Sequence, residues 1–320
     1  MQFFKKKAKS NSRVGVLVSS DQLVVAHMGE RDGAPYLIDL EKVVLKSERD
    51  AGKALANLVR SMEIQDKQCS YVLNRKDYNL HLVEAPEVDA SELRSAVRWK
   101  IKDLLDMKIE EAAIDVFQVP EDAYRGREMV YVVAALNSKI KSIVNTVTES
   151  GLELAVIDIP ELTMKNLSNS FVDDTNGTAF LDLRRNGSTM NITRNGELYL
   201  SRRINTQLAP DVMASSDWES VKDRLSLEIQ RSLDYYESQM GQSPINKIIL
   251  AQRQHDGGAM AETLNDLLTA EVKILDLADH LKSGKALSPE LQQIGMAAIG
   301  ATLRGKVKAK KPEPREQEAA

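Results

Sequence analysis

Apolar residues along this chain follow two spacings, one of period two and one near 3.6, and the same succession of spacings occurs twice. Val14–Val18, Leu23–His27 and Tyr36–Asp39 read as three short successive strands. Residues two apart share one face of a strand, so short apolar runs bounded by polar turns fit that form. Ala51–Met62 follows as a helix with Leu55, Leu58, Val59 and Met62 on one face. The second succession begins at Thr178–Leu183 and continues through Thr189–Thr193 and Glu197–Arg202, with Asn195-Gly196 supplying a tight hairpin turn. A long helix then runs from Asp217 to about Met240, its face marked by Val221, Leu225, Ile229, Leu233, Tyr236 and Met240. Ser216 and Glu219 have the spacing of a capping box at its start. Ile248–Ala251, a helix over Gly258–Leu268 and a strand at Val272–Leu275 come after it. Two copies of three antiparallel strands and a helix predict a duplicated α/β core with a cleft between the halves.

Extra material separates the copies. Ser91–Lys108 has an amphipathic stripe of Leu93, Val97, Ile101 and Leu104, and Trp99 falls off it. Strands at Ile114–Val119 and Met129–Leu136, a helix over Lys139–Glu149 and a strand near Leu154–Ile159 follow, with Gly151 closing the helix. The expected plan is a first half over 13–176 carrying an inserted subdomain over about 78–157, then a second half over 177–304. Residues 1–12 form a basic arm and 305–320 a charged, Pro-containing tail. Neither has enough apolar surface to offset the entropy of ordering, so both are expected to be disordered.

Composition narrows the function classes. Charged residues are 28% of the chain and nearly balanced, for a net charge of -4. Nucleic-acid binders concentrate Lys and Arg on one face, so no nucleic-acid partner is expected. Cys69 is the single cysteine and the four histidines are scattered, which gives no disulfide and no metal spacing. No apolar run approaches the roughly 20 residues that cross a bilayer. Phe3 and Phe4 followed by Lys5 to Lys7 lack a hydrophobic leader core. A cytoplasmic protein, associated with a membrane only indirectly, is the expectation.

Several motifs in order and spacing resemble the PilM family of pilus-assembly proteins, most closely its MSHA-biogenesis branch. They are Phe3-Phe4-Lys5-Lys6 before Val14-Gly15-Val16, Ala96-Val97-Arg98-Trp99-Lys100-Ile101, and Val132-Val133-Ala134-Ala135 through Val156-Ile157-Asp158. Phe180-Leu181-Asp182 with Asn191-Ile192, then Ile229-Gln230-Arg231-Ser232-Leu233-Asp234-Tyr235-Tyr236, continue the match. Ile248-Ile249-Leu250-Ala251 and Ile294-Gly295-Met296-Ala297 complete it. The resemblance implies an actin-like (ribonuclease H-like) ATPase fold with an inserted subdomain in the first half, as in the cell-division protein FtsA. It also implies a cytoplasmic role in pilus biogenesis and a partner of the PilN type, a single-pass inner-membrane protein bound through its short cytoplasmic N-terminus.

The same resemblance places three nucleotide loops. The first needs an Asp for hydrated Mg²⁺, a Gly for close backbone approach and a Lys for phosphate, and the matching positions are Leu17, Ser19 and Val24, with Ser20 and Asp21 beside them. The second keeps Asp182, but Arg184 replaces the expected Gly, and Arg185-Asn186-Gly187-Ser188 follow. The third reads Gln252-Arg253-Gln254 where adjacent glycines would lie under adenosine, and Gly257-Gly258 falls too late. Loss of all three predicts a protein that is not an enzyme and needs no cofactor, ATP with Mg²⁺ included. Arg184, Arg185 and Arg253 offer an alternative anion site.

Other candidates reduce to packing. Asp158 and Glu161 flank Pro160 as turn and cap residues, and His27, His81, His255 and His280 have no nucleophile near them in sequence. Tyr235 and Tyr236 fit a helix face. Arg94, Arg98 and Trp99 lie outside the apolar stripe of their helix, and such residues are enriched at interfaces, so they are the expected partner contacts. The leading expectation is therefore a scaffold with a peptide groove between the insert and the first half, homodimerisation being left open. The alternatives are an ATP-responsive switch of the same machine, favoured by Asp182 and Ser20, and a GspL-type cytoplasmic domain of a type II secretion system. The polar tail, with no membrane span after it, counts against the last.

Overall fold

The computed structural model describes residues 12–185, 187–209 and 211–305. The expected arm before Ser12 and the tail after Gly305 lie outside them. The first half opens with β1 (Arg13–Val18), β2 (Gln22–Arg31) and β3 (Ala34–Val44), an antiparallel meander. α1 (Ala51–Ser61) buries Ala51, Leu55 and Val59 against it, and β4 (Gln68–Val72) lies parallel to β1. The insert is β5 (Tyr78–Glu84), α2 (Leu93–Lys100), β6 (Ala112–Gln118) and β7 (Met129–Leu136). α3 (Asn137–Glu149) and β8 (Glu153–Asp158) return to the first sheet, with β8 parallel to β4, and α4 (Pro160–Phe171) leads out of it.

The second half repeats the plan with β9 (Thr178–Asp182), β10 (Ser188–Arg194), β11 (Glu197–Ile204), α5 (Trp218–Asp234), β12 (Lys247–Ala251), α6 (Gly257–Leu267) and β13 (Glu271–Leu275). Asn195 and Gly196 both have positive φ, 52° and 81°, as a two-residue hairpin turn requires. α7 (Leu277–His280), β14 (Lys282–Ser283) and α8 (Pro289–Thr302) finish the described chain. Strand order in the larger sheets is β14-β3-β2-β1-β4-β8 and β11-β10-β9-β12-β13. Without β14 the two orders coincide strand for strand, so the duplication seen in hydrophobic spacing is a duplication of topology.

Five expectations change. The insert ends at Leu136 rather than near 157, because β8 pairs with β4 and completes the first sheet; the insert's own sheet is β5-β7-β6. α2 stops at Lys100 and a single tight turn covers Lys102–Leu104. Extended backbone at Leu105 then lets that residue, not Leu104, reach the Val97–Ile101 cluster, and Leu104 is 50% exposed. The capping box does not form: Asp217 precedes the helix with helical dihedrals, and Glu219 pairs with Lys222 instead. A capping side chain needs an extended N-cap residue to reach the first-turn amides, which this geometry denies. α5 also ends at Asp234, and Tyr235–Gln239 form a wider π turn.

The fifth change concerns the chain's last elements, assigned above to the second half. β14 pairs with β3, and α8 lies on β1, β2 and β4 of the first sheet, while α4 lies on β10 and β11 of the second. α4 and α8 also pack on each other. This exchange needs close backbone approach: a Cβ at Gly15 would overlap the Ala298 carbonyl, and one at Gly300 the Thr163 carbonyl.

Candidate functional site

The β1–β2 loop is closed on itself. Ser19 N donates to the Gln22 carbonyl at 2.8 Å, and the Ser19 hydroxyl donates to Asp21 Oδ1 at 2.9 Å while accepting from Gln22 N. Leu17 and Val24 are paired across β1 and β2 and face the apolar cluster around Met164 and Phe180. Neither is at a position from which a charged replacement would simply meet solvent, and Val24 is fully buried. Ser20 is exposed at the tip.

The second loop is likewise spent on its own groups. Arg184 Nε donates to Asp182 Oδ2 at 2.7 Å, and Ser188 Oγ accepts from Arg184 N at 2.9 Å. In the third, the Gln252 side-chain oxygen accepts from Arg253 N at 3.2 Å. Arg253 makes a two-point contact with Asp256 at 2.6 and 3.0 Å and donates to the Leu183 carbonyl at 2.9 Å. Its side chain is 4% exposed. A buried guanidinium with matched acceptors ties the second loop to the third. The alternative triple-arginine anion site is therefore not assembled: Arg184 and Arg253 are engaged elsewhere, and Arg185 alone of the three stays exposed. A residual cavity of about 90 Å³ is lined by Arg185, Leu208, Gln254, His255 and Gln293 together with the Arg253–Asp256 pair. α6 opens at Gly257, which makes the two glycines its first turn.

At the joint between the halves, Asp158 and Glu161 are buried and individually partnered. Asp158 accepts from Arg304 Nη1 at 2.9 Å and from Ile159 N at 3.0 Å. Burial pushes its carboxyl above the ordinary range, with Arg304 opposing the shift. The Glu161 carboxylate accepts from Arg75 and from the Tyr78 hydroxyl, and its main-chain carbonyl accepts from Asn191 Nδ2 at 2.7 Å. Burial, then the Glu161 charge, drives the Tyr78 phenol well above its usual value. These carboxylates hold the joint together.

A larger cavity, about 370 Å³, lies where the insert meets the first half. Tyr78, Asn79, Met107 and Leu136 line it from the insert, and Lys76, Asp77, Ser138 and Lys139 from the first-half side. Lys139 pairs with Glu48 and, at 3.1 Å, with Asp77, and Lys76 reaches Glu48 at 3.2 Å. The Lys139 ammonium holds the Glu48 carboxyl below its ordinary range. The groove is thus an apolar slot with a charge-balanced rim. None of the partner contacts expected from sequence lines it. Arg94 pairs with Asp115 at the surface. Arg98 donates to the Ile109 and Ala112 carbonyls, which makes it an internal tie. Trp99 is 69% exposed, so it is not buried between subdomains.

No protein-family model and no curated protein matches the chain. Solved structures do. A PilM-PilN type IV pilus biogenesis complex matches with a TM-score of 0.71 and 17% identity, over 92% of this chain and 98% of that chain. A Bacteroides thetaiotaomicron protein with an actin-like ATPase fold and unknown function matches with a TM-score of 0.50 and 8% identity, over 92% and 99% of the two chains. The fold is actin-like. The cytoplasmic domain of EpsL, an inner membrane component of the type II secretion system of Vibrio cholerae, covers 90% of this chain and 95% of its own at 11% identity, with a TM-score of 0.49. Among the described residues of this actin-like chain, no helix is long and apolar enough to cross a membrane.

Proposed function

We propose that this protein is a non-catalytic, PilM-like scaffold on the cytoplasmic face of a type IV pilus machine of the MSHA type. Its groove would take the cytoplasmic N-terminal segment of a PilN-like, single-pass inner-membrane partner. The observation that carries this reading is the 370 Å³ slot between insert and first half, large enough for two or three aliphatic side chains of an extended peptide and bordered by polar groups that can bind its backbone. The resemblance of the fold to the PilM-PilN complex supports it. Loss of ATP chemistry is supported by Leu17 and Val24 facing the core and by Arg253 filling the space beneath the third loop.

Two measurements on the purified chain test this. A synthetic peptide from a PilN-like cytoplasmic segment should bind at one site in a calorimeter, and Leu136→Asp should weaken it at least about tenfold, or 1.4 kcal/mol, without unfolding the protein. Saturating peptide with unchanged affinity for the Leu136→Asp variant would move the site elsewhere. A ligand at a hundred times its Kd stabilises by about 2.7 kcal/mol, so millimolar Mg-ATP should leave the melting temperature unmoved. A clear rise, lost in Asp182→Ala, would replace the scaffold with an ATP-responsive switch.

A further inference from the structure

We infer that the inserted sheet is a brace that locks the two halves of the molecule into one rigid body. A sheet with one apolar face could simply sit on the first half, from which the insert grows. This one has two. Val83, Val130, Val132 and Ala134 face Val97 and Ile101 of α2, closing one side. On the other side, Leu80 and Phe117 touch the buried cores of both halves, and Tyr131 lies within the second-half core. Register explains the continuity: Tyr131 pairs with Leu82 on β5 and with Phe117 on β6, so the three share that face, and the Phe117 and Tyr131 rings stack at 5.2 Å.

The loop between β6 and β7 completes the lock. Ala123 and Tyr124 are buried in the second-half core. Tyr199 Oη donates to Asp122 Oδ1 at 2.7 Å, and Gln242 Nε2 donates to the carbonyls of Asp122 and Ala123. From the sheet itself, Tyr131 Oη accepts from Ser201 N at 2.7 Å. Gly241 leaves room for Arg125, which a side chain there would strike. The receiving surface is β11 and the residues just after the π turn, whose Tyr236 packs edge-on against Tyr199. Opening the halves about the Ile159–Pro160 joint would drag Tyr124 and Tyr131 out of this core and strand the Ser201 amide. The brace therefore fixes the cleft angle with groups of the chain itself, whatever occupies the peptide groove, and it stands whether or not the scaffold reading does.

Hydrogen–deuterium exchange on the full chain tests the inference. Residues 159–163 and 289–302 should be protected in the wild type, and calorimetry should show one unfolding transition for both halves. Asp122→Ala with Tyr124→Ala should speed exchange in those two segments at least tenfold while peptides from α1 and α6 change little. Tyr199→Phe removes only a hydroxyl and should give a smaller rise, about threefold, in the same segments, so the inference stays testable if the double variant does not fold. Fast exchange at the joint in the wild type would overturn it. So would wild-type protection at the joint in folded variants, or a rise as large in α1 and α6 as at the joint.

Discussion

Replacing Arg253 with Ala removes a guanidinium whose side chain is 4% exposed and which makes two bonds to Asp256 and one to the Leu183 carbonyl. Breaking a buried ion pair by deleting one partner costs about 3–5 kcal/mol, because the remaining charge is stranded. Asp256 is 14% exposed and precedes α6. Water and the partial positive charge of the helix start can take over some of its stabilisation, worth up to about 1 kcal/mol. The lower end, about 3 kcal/mol, is the expected loss for Arg253→Ala. At roughly 2 °C per kcal/mol for a chain of this size, the melting temperature should fall by about 6 °C. Urea denaturation should report the same loss. Arg253→Met combined with Asp256→Leu should recover part of it, since an apolar pair of similar volume avoids both desolvation penalties but leaves the Leu183 carbonyl without its donor. Mg-ATP should still not stabilise Arg253→Ala, because the Leu17–Val24 face remains apolar. A single mutant within 1 °C of wild type would show that this pair does not hold the third loop in place, and the argument for a filled cleft would fail with it.

Three further outcomes are expected. The His27 pKa is lowered by burial and then by Lys67, with Asp39 opposing, so its neutral form is favoured by folding. The corresponding stability is complete above the unfolded value of 6.5 and is lost as pH falls toward the lower folded value, at up to about 1.4 kcal/mol per pH unit; His27→Gln should flatten that part of a stability–pH curve. Gly15→Ala drives a methyl into the Ala298 carbonyl and should cost about 1–3 kcal/mol by chemical denaturation, whereas Gly258→Ala, with open space around it, should not destabilise. Trp99→Ala should change stability by less than about 0.5 kcal/mol, while Arg98→Ala, which removes two hydrogen bonds to main-chain carbonyls, should cost about 1–2 kcal/mol.

The strands and helices most legible in the sequence were those whose environment is one-sided. α1, with Leu55 and Val59 inward, and the β10–β11 hairpin, with Asn195-Gly196 at positive φ, carry their own periodic or turn signal. α8 does not: it is covered by the first sheet on one side and α4 on another, so Gly295, Met296, Ala298, Ile299, Gly300 and Ala301 are buried in near-continuous succession. A helix buried on most of its surface loses amphipathic spacing. The position of Trp99 off its helix stripe did report exposure correctly. The role of Arg98 was invisible, because its carbonyl partners at Ile109 and Ala112 come from a turn that only folding brings near. The groove shows the same limit: Tyr78, Met107 and Leu136 meet only through tertiary structure.

Tyr78 connects that groove to the joint of the molecule. It lines the slot, and its hydroxyl donates to Glu161, which Arg75 also holds and whose main-chain carbonyl is bound by Asn191 of the second half. The groove wall is therefore fastened to α4, the helix that crosses between halves, by a fully buried carboxylate. In a nucleotide-driven actin-like protein, such a connection would carry cleft movement to the groove. Here Arg253 ties the loops beneath the cleft and the inserted sheet spans the halves, so the same connection works as an anchor. A groove held this way is preformed, so a peptide bound there as proposed would order only itself. That would lower the entropic cost of binding a short segment, as the proposed scaffold role requires.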